Sequence, residues 1–285
     1  MADDAGNIDE THDPEARSWV ESANDLNTDF PIQNLPYARV WDEEAETEHF
    51  GVMIGDSLLA FDELLMTRES DLLAEAFYSE FYVAGSSAEE RTSVRRHLFK
   101  MLRTGSGRDS AKDRAAIQAS LIPIGPNHTL LPAFDILNYT DFYASIHHAT
   151  NVGGMFRPDN PLLPNYKWVP IGYHGRASSI VPTEAAIVRP NGQTKADDAA
   201  APSFGPCKML DHELEVGVIV AEGEELGTPV HISRARERMV GLTLVNDWSA
   251  RDMQKWEYQP LGPFLAKNFA TTVGCLLYTS PSPRD

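Results

Sequence analysis

Residues 213–220, ELEVGVIV, carry an apolar side chain at every second position, with Glu213 and Glu215 on the alternate positions. Successive side chains of a β-strand point to opposite faces, so the stretch predicts a strand with one apolar face and one face that bears carboxylates. The apolar residues are Leu214, Val216, Val218 and Val220. Residues 241–247, GLTLVND, predict a second strand that ends in the carboxylate of Asp247. Many short stretches of this kind, separated by Pro and Gly, predict that this half of the chain is mainly β.

The first half of the chain predicts a mixture of strands and helices. Residues 50–61, FGVMIGDSLLAF, predict two short strands joined by a tight turn at Gly55 and Asp56. Helical spacing of apolar residues then predicts three helices. The first carries Leu72, Leu73, Ala76, Phe77 and Phe81, the second Val94, Leu98, Met101 and Leu102, and the third spans residues 110–119. The fold class predicted for the whole chain is therefore α+β, mainly β.

Capping residues predict where the second helix begins and ends. Ser87 and Glu90 have the spacing of a capping box at its start, and Gly105 favours its termination. We therefore expect this helix to lie between residues 87 and 105.

The charge of the chain excludes some classes of partner. The sequence has 24 Lys and Arg against 42 Asp and Glu, a net charge of −18. Such a field repels phosphate backbones and anionic lipids, so neither nucleic acid nor a membrane surface is an expected partner. Residues 1–29 hold nine of the acids against Arg17 alone, which predicts a disordered acidic arm.

No apolar run approaches the length of a membrane-spanning helix, and no leader-like start is visible, so a cytoplasmic location is expected. Cys207 and Cys275, the two cysteines of the sequence, form neither a disulfide framework nor a thiolate metal pair. Neither cysteine is given a role.

Four carboxylates could form a metal site. Glu213 and Glu215 point the same way at roughly 6–7 Å separation on a strand, although for such a pair alone a solvated strand face is the simpler interpretation. Asp247, at the end of another strand, and Asp141, in the stretch YTDFY, favour a site for a hard cation. Oxygen ligands without thiols suit Mg²⁺ or Ca²⁺.

Other side chains could supply a general base, hydrogen-bond donors or substrate contacts. His147 or His148 could take a proton from water, although a single histidine more often caps or packs. Arg251, Gln254 and Lys267 could stabilise an oxyanion and Arg157 could hold a carboxylate, with surface ion pairs as the alternative. Tyr143, Tyr173 and Tyr258 could donate hydroxyl hydrogen bonds in a pocket, although packing alone explains most tyrosines.

Five long strings of residues carry a resemblance that spacing does not supply. They are DFPIQNLPY (29–37), YTDFYASIHHATNVGGMFR (139–157), LLPNYKWVPIGYHGRASSIV (162–181), MLDHELEV (209–216) and NDWSARDMQKWEYQPLGPFLAKNF (246–269). With them the chain resembles the fumarylacetoacetase family over nearly all of residues 29–272. The resemblance implies an N-terminal domain at 30–132 with a small SH3-like barrel, a mixed β-roll catalytic domain at 133–274, and a homodimer.

The resemblance also implies an activity and a set of site residues. The reaction is hydrolysis of a carbon–carbon bond in 4-fumarylacetoacetate, a diketo acid, to fumarate and acetoacetate at the end of tyrosine and phenylalanine breakdown. The implied cofactor is Mg²⁺ and/or Ca²⁺. The implied metal ligands are Asp141, Glu213, Glu215 and Asp247, with Lys267 and Thr271 at an adjacent cation position. The implied base is His148 rather than His147, the oxyanion donors are Arg251, Gln254 and Lys267, and the substrate contacts are Tyr143, Arg157, Tyr173, Gln254 and Tyr258.

The sequence departs from this family at its C-terminal end. The family continues beyond the position of Thr272, with a glutamate that orients the histidine and a threonine that touches substrate. Residues 275–285, CLLYTSPSPRD, instead resemble a translated sequencing adaptor over their full length. We therefore expect a truncated catalytic domain with an artefactual tail, and exposure of the apolar strand face on 214–220.

Two alternatives to the hydrolase remain open at this stage. One is a related enzyme that cleaves acylpyruvates or decarboxylates an oxo-acid at the same kind of metal site. The other is an inactive fragment that binds a divalent cation.

Overall fold

The structure is a computed structural model that describes residues 8–66, 80–107, 110–221 and 223–279. The strands are β1 (Tyr37–Asp42), β2 (Thr47–Ile54), β3 (Ser57–Ala60), β4 (Leu121–Pro123), β5 (His128–Leu131), β6 (Thr140–Phe142), β7 (Gly172–His174), β8 (Ile180–Pro182), β9 (Asn191–Thr194), β10 (Ser203–Pro206), β11 (Leu210–Asp211), β12 (Leu214–Val220), β13 (Met239–Asp247), β14 (Ser249–Ala250), β15 (Thr271–Val273) and β16 (Leu276–Leu277). The α-helices are α1 (Phe61–Met66), α2 (Glu80–Gly85), α3 (Ala88–Leu102), α4 (Ala111–Gln118), α5 (Ile146–Phe156) and α6 (Arg251–Glu257). Short 3₁₀ turns lie at Glu10–His12, Glu21–Asn24, Ala177–Ser179 and Ile232–Arg238. The predicted α+β class, rich in short strands, is confirmed.

The N-terminal half is built on one antiparallel sheet. Its strand order is β16-β1-β2-β3-β4, and β5 also pairs with β1. The predicted hairpin is confirmed: β2 and β3 pair in register, and Gly55 takes a φ of +59° in the turn between them. A Cβ at Gly55 would lie 2.6 Å from the backbone nitrogen of Ala23, so the turn also needs glycine for space.

Aromatic rings from this sheet form the centre of the N-terminal core. The rings of Tyr37 and Phe50 stack with centroids 5.8 Å apart, and Phe61 meets both edge-on. Phe134 meets Phe50 edge-on at 6.2 Å. Edge-on and offset contacts are the favoured geometries of aromatic pairs, so this cluster fixes how the sheet packs.

Helix α3 covers the cluster and confirms the predicted second helix. Ser87 and Glu90 form the predicted capping box at its first turn, and its last helical residue is Leu102. The predicted apolar residues Val94, Leu98, Met101 and Leu102 are all buried. The third predicted helix is also present, as α4 with Ser110 as its N-cap. Most of the first predicted helix, including Leu72, Leu73, Ala76 and Phe77, lies outside the described residues.

The structure corrects the prediction of a disordered arm for residues 8–29. Ala16, Val20 and Ala23 are buried in the same core as α3. The Trp19 indole nitrogen donates to the Met101 carbonyl at 2.8 Å. Three of the acids counted in the arm meet bases of α3 or its C-cap: Asp9 pairs with Arg96 at 2.8 Å, Glu10 with Lys100 at 3.9 Å and Asp13 with Arg103 at 3.1 Å.

The prediction of disorder counted the acids of residues 1–29 as solvated charges that repel one another. Ion pairs with bases of α3 and its C-cap reduce this repulsion. The apolar residues of the segment then supply the burial that keeps it folded. Residues 1–7 lie outside the described part of the chain.

The C-terminal half centres on a mixed sheet with the order β12-β13-β15-β8. The two predicted strands are confirmed as β12 and β13, which pair antiparallel with Val216 opposite Leu244. The predicted separation of faces on β12 is present too, because exposure alternates residue by residue.

The apolar side of this sheet is the exposed one: Leu214 is 77% and Val216 62% exposed. We call it the open apolar face. It consists of Leu214, Val216, Val218, Val220, Leu242 and Leu244.

The beginning of the C-terminal tail is part of the fold. In β16, Leu277 pairs with Tyr37 of β1 and is only 1% exposed. Tyr278 exchanges two backbone hydrogen bonds of 2.8 Å with Leu242 of β13. Residues 275–278, the start of the segment predicted to be an artefactual tail, therefore connect the two sheets. Within the described ranges, no helix has the length and apolar character needed to cross a bilayer.

Candidate active site

Three carboxylates from separate strands meet beside the C-terminal sheet. Asp141 lies on β6, Glu215 on β12 and Asp247 at the end of β13. One oxygen of each lies within 4.8 Å of one oxygen of the other two. Antiparallel pairing of β12 with β13 brings the last two together, since Glu215 pairs with Val245 two residues before Asp247. Such a set of oxygens matches what a hard divalent cation requires.

Asp247 supplies the clearest test of whether a cation fits. The residue is 3% exposed, and its Oδ2 accepts a hydrogen bond from Lys267 Nζ at 2.7 Å. Its Oδ1 is buried and has no hydrogen-bond partner among the described residues. A buried carboxylate oxygen without a partner costs free energy, and a cation bound between the three carboxylates would remove that cost.

Burial and mutual repulsion perturb the carboxyl groups of this cluster. Burial, together with the charges of Asp141, Asp247 and Glu213, raises the pKa of Glu215 to about 7. Burial also raises the pKa of Asp247 to about 6, although Lys267 acts against the shift. Like charges held this close favour protonation or a bound cation.

The fourth predicted ligand, Glu213, is held by cations of the chain itself. Its Oε1 accepts from Arg251 Nη2 at 2.7 Å, and its Oε2 accepts from Lys267 Nζ. Burial acts to raise the pKa of Glu213, but the hydrogen bonds and charges of Lys267 and Arg251 outweigh burial and lower it. The structure thus groups three of the four predicted carboxylates and places the fourth in ion pairs beside them.

Helix α6 presents two of the predicted oxyanion donors. The Arg251 guanidinium donates to Gln254 Oε1 at 3.1 Å, and its Nε donates to Asp211 Oδ2 at 2.9 Å. Together with Glu213, these contacts hold Arg251 between β11, β12 and α6. The guanidinium is therefore fixed at the border of the carboxylate cluster.

Lys267 and Thr271 lie on the buried side of the cluster. Lys267 is 4% exposed and joins Glu213 to Asp247 through its ammonium group. Thr271 is buried on β15, and its Oγ1 lies 3.3 Å from the hydroxyl of Tyr139. Thr271 lies next to Asp247 because β15 pairs with β13 at these two residues. Lys267 lies next to Asp247 through the hydrogen bond between their side chains.

Tyr173 reaches the cluster from β7. Its hydroxyl donates to Asp141 Oδ2 at 2.6 Å. Burial and this hydrogen bond to a carboxylate raise the pKa of Tyr173 far above its ordinary value, so the phenol stays protonated.

His148 and Tyr143 form the exposed side of the site. His148 lies in the first turn of α5, where its backbone nitrogen donates to the Ser145 hydroxyl, and its ring meets Tyr143 edge-on with centroids 5.4 Å apart. Burial raises the pKa of Tyr143, and the charge of Arg157 acts against that shift. Arg157 donates to the Pro161 carbonyl at 3.0 Å.

Tyr258 is a predicted site residue whose described contacts do not reach the carboxylates. It is half-exposed and follows α6, where its backbone nitrogen bonds the Gln254 carbonyl at 3.0 Å. No hydrogen bond among the described residues joins its hydroxyl to the cluster.

Two residues in the site were missed by the sequence analysis. Tyr139 contacts Thr271, and Asp211 holds Arg251. Each lies two residues before a predicted ligand, Asp141 in one case and Glu213 in the other, which is the spacing that puts side chains on one strand face. Inspection of the residues two positions before and after each predicted ligand would have found Tyr139 and Asp211.

Comparisons with known proteins show what the chain is similar to. Residues 138–285 match the family described as fumarylacetoacetate (FAA) hydrolase C-terminal. The chain is 47% identical over 261 residues to fumarylacetoacetase of Caenorhabditis elegans and 42% identical over 265 residues to fumarylacetoacetase of Homo sapiens. These alignments cover 87% and 90% of this chain but 60% and 62% of the relatives.

A solved structure, described as a putative HpcE protein from Mycobacterium smegmatis, aligns with a TM-score of 0.49 and 16% identity. The alignment covers 87% of this chain and 68% of that one. Of the two fumarylacetoacetases named above, by contrast, the chain spans less than two thirds of the length.

Proposed function

The chain belongs to the fumarylacetoacetate hydrolase family, and from that premise we propose that it hydrolyses a carbon–carbon bond of 4-fumarylacetoacetate to give fumarate and acetoacetate. The observation that carries the proposal is the group formed by Asp141, Glu215 and Asp247, with its unpartnered buried oxygen. The resemblance to fumarylacetoacetases at 42–47% identity supports this substrate. Because the chain covers part of those relatives, the activity is proposed for the whole protein.

We propose that the three carboxylates hold Mg²⁺ or Ca²⁺. All three donors are oxygens, and the repulsion among them falls when a cation binds. A cation held by Asp141, Glu215 and Asp247 would supply Lewis-acid chemistry, namely polarisation of a carbonyl and stabilisation of enolate charge. Glu213 is proposed as a further ligand. Its carboxylate accepts hydrogen bonds from Lys267 and Arg251, and these bonds would have to break before Glu213 could bind the cation.

His148 is the proposed general base. It accepts a proton from water at a ring nitrogen while the water oxygen bonds to the ketone carbon. The carbon–carbon bond then breaks, its electron pair leaves on the acetoacetate enolate, and the proton taken up by His148 passes to that enolate to give acetoacetate. An exposed ring beside Tyr143 is accessible to water, which supports this role.

Lys267, Arg251 and Gln254 are the proposed oxyanion donors. The Lys267 ammonium has three donors and uses two of them on Glu213 and Asp247, so one remains for an oxyanion. Arg251 already donates to three neighbours and acts mainly as a fixed positive charge. Each well-placed donor of this kind is worth about 3–4 kcal/mol in a transition state.

Tyr143, Arg157, Tyr173, Gln254 and Tyr258 are proposed to surround the substrate. For Arg157, one contact to the Pro161 carbonyl leaves further guanidinium donors for a substrate carboxylate. The finer architecture also stays a proposal: a small SH3-like barrel in 30–132, a β-roll in 133–274, a homodimer and a cytoplasmic location. Pairing of β1 with β2, β5 and β16 supports a strongly curved N-terminal sheet.

A second candidate function is an inactive polypeptide that binds a divalent cation. The exposed apolar side of β12 and β13 favours it, because a complete catalytic domain covers its apolar sheet faces. An acylpyruvate hydrolase or oxo-acid decarboxylase is a third possibility on the same carboxylates, and the long match through residues 162–181 and 246–269 argues for fumarylacetoacetate instead.

The experiment measures loss of fumarylacetoacetate with and without Mg²⁺ or Ca²⁺, beside acylpyruvate as a competing substrate. Asp141→Ala and Asp247→Ala should abolish turnover and weaken cation binding. Asp159→Ala, which changes an exposed acid nearby, should do neither. Cation binding without turnover would favour the inactive polypeptide, and unchanged cation affinity in both site variants would refute the metal assignment.

A further inference from the structure

The hydroxyl of Tyr173 is placed by strand register rather than by a flexible loop. β6 pairs antiparallel with β7, with Asp141 directly opposite Tyr173. Directly opposed residues share one face, with Cβ atoms about 4.5–5.5 Å apart. Backbone hydrogen bonds extend the ladder at both ends, from Tyr143 to Ile171 at 2.9 Å and from Gly175 to Tyr139 at 3.1 Å.

The bond that results has the geometry of a strong one. Tyr173 Oη lies 2.6 Å from Asp141 Oδ2, within the range of charge-assisted O–H···O⁻ bonds. A shift of one residue in the register would move the phenol to the other face of the pair and break this bond. The contact is therefore specified by the fold.

We propose that Tyr173 is a positioning residue for the cation site and acts through Asp141. The inference rests on the proposed cation site. Asp141 sits on a strand of three residues and is half-buried, so its carboxylate would otherwise be free to rotate. The hydroxyl fixes that carboxylate near Glu215 and Asp247, and a carboxylate that accepts one hydrogen bond keeps further lone pairs for a cation.

The proton count separates this role from a simple substrate contact. A phenol has one proton to donate, and Tyr173 donates it to Asp141. Tyr173 can therefore accept a hydrogen bond from a substrate, but it cannot donate to a substrate carboxylate without releasing Asp141. Tyr143 differs, since no hydrogen bond of its hydroxyl is found among the described residues.

The test is a Ca²⁺ titration of the chain by isothermal calorimetry, which needs no catalytic turnover. Tyr173→Phe keeps the ring and removes one oxygen, and we expect it to weaken Ca²⁺ binding about 10–100-fold. Tyr166→Phe is the matched control, because among the described residues its hydroxyl bonds the Tyr143 carbonyl alone, and its Ca²⁺ affinity should equal that of the wild type. In an Asp141→Ala background, adding Tyr173→Phe should cause no further loss.

The outcomes divide cleanly once circular dichroism has confirmed that each variant is folded. Wild-type affinity in Tyr173→Phe overturns the role of Tyr173 and leaves the cation site standing. A further loss on adding Tyr173→Phe to Asp141→Ala also overturns it, because the tyrosine would then act by another route. A wild-type chain that binds neither Ca²⁺ nor Mg²⁺ overturns the cation site and, with it, this role.

Discussion

Lys267 is the residue on which the charge balance of the site depends. Its side chain and that of Asp247 are each 5% exposed, and its ammonium also bonds Glu213. Removing one partner of a buried ion pair leaves an uncompensated charge, at a cost of about 3–5 kcal/mol. Lys267→Met should therefore lower the melting temperature strongly, and Ca²⁺ should raise the melting temperature of this variant more than that of the wild type.

Lys255→Met is the matched control for this prediction. Lys255 pairs with Asp197 at 2.8 Å, but both side chains are exposed to solvent. Exposed pairs contribute little to stability, so this variant should melt close to the wild type. Equal losses in the two variants, measured by differential scanning calorimetry, would contradict the burial argument.

The raised pKa values of Glu215 and Asp247 predict how pH affects the site. Cation binding needs the ionised carboxylates, and Glu215 with a pKa of about 7 is mostly protonated at pH 6. Ca²⁺ affinity should rise from pH 6 to pH 8, by about tenfold per pH unit for each proton released below the pKa. The free energy of unfolding of the cation-free protein depends on pH in the opposite direction. Because the pKa of Glu215 is raised by folding, this free energy falls as pH rises from 4.5 to about 7.

Calorimetric titrations of Ca²⁺ at pH 6, 7 and 8 check the dependence. Glu215→Gln, which cannot ionise at this position, should flatten most of the rise. An affinity in the wild type that is constant over this range would show that the cluster ionises normally.

His148 and its neighbour His147 offer a direct comparison at the residue scale. Loss of a positioned base costs about 10²–10⁴ in rate, so His148→Ala should lower kcat by that factor. His147→Ala should leave kcat close to the wild type. Similar kcat values for the two variants, in steady-state hydrolysis of fumarylacetoacetate, would count against His148 as the base.

At the scale of elements, the β2–β3 hairpin and the N-terminal segment depend on each other through Gly55. A Cβ there would meet the Ser22 side chain and lie 2.6 Å from Ala23 nitrogen, in addition to the cost of a φ of +59°. Gly55→Ala should therefore destabilise the protein by more than the roughly 1–2 kcal/mol that a left-handed conformation costs a non-glycine residue.

Gly105→Ala separates the two contributions. Gly105 has a φ of +75°, but no atom of the described residues beyond its chain neighbours lies within 4 Å of where its Cβ would be. Chemical denaturation should show the larger loss for Gly55→Ala, together with weaker protection of residues 21–24 in hydrogen exchange. Equal losses would mean that backbone conformation, and not contact with Ala23, sets the cost.

Local patterns predicted the elements that rely on local rules. The capping box at Ser87 and Glu90, the turn at Gly55 and the alternation on β12 depend on neighbours within a few residues, and the structure has all three. Pairings between distant residues were not predictable in this way. The order of residues 8–29 depends on bases of α3 far along the chain, and Asp141 meets Tyr173 only through the register of β6 with β7.

The candidate site shows the same division. Residue types predicted one site formed by Asp141, Glu213, Glu215 and Asp247, whereas the ion pairs that hold Glu213 beside the other three carboxylates need Arg251 and Lys267 in place. A sequence gives no distance between those side chains. The roles assigned to His148 and Tyr258 came from family resemblance and stay predictions.

For the whole molecule, the open apolar face dominates expected solution behaviour. Val216 lies opposite Leu244 on it, and both are more than half exposed. An exposed apolar sheet surface favours association, so the chain should form species larger than a dimer as concentration rises. Val216→Lys combined with Leu244→Lys should reduce that association without lowering the melting temperature.

Val188→Lys is the control, because Val188 is exposed outside the open apolar face. It should leave association unchanged in sedimentation velocity runs at several concentrations. A wild-type chain that stays monodisperse throughout would mean that the face does not drive association.

The pairing of β16 with β1 has a consequence for how the protein is made. Tyr37 pairs with Leu277, which the ribosome adds 240 residues later. At about 5–20 residues per second, the start of β1 waits roughly 10–50 s for its neighbour during synthesis. For that time the nascent N-terminal sheet presents unpaired backbone N–H and C=O groups along part of β1, a surface on which a chaperone can bind before release.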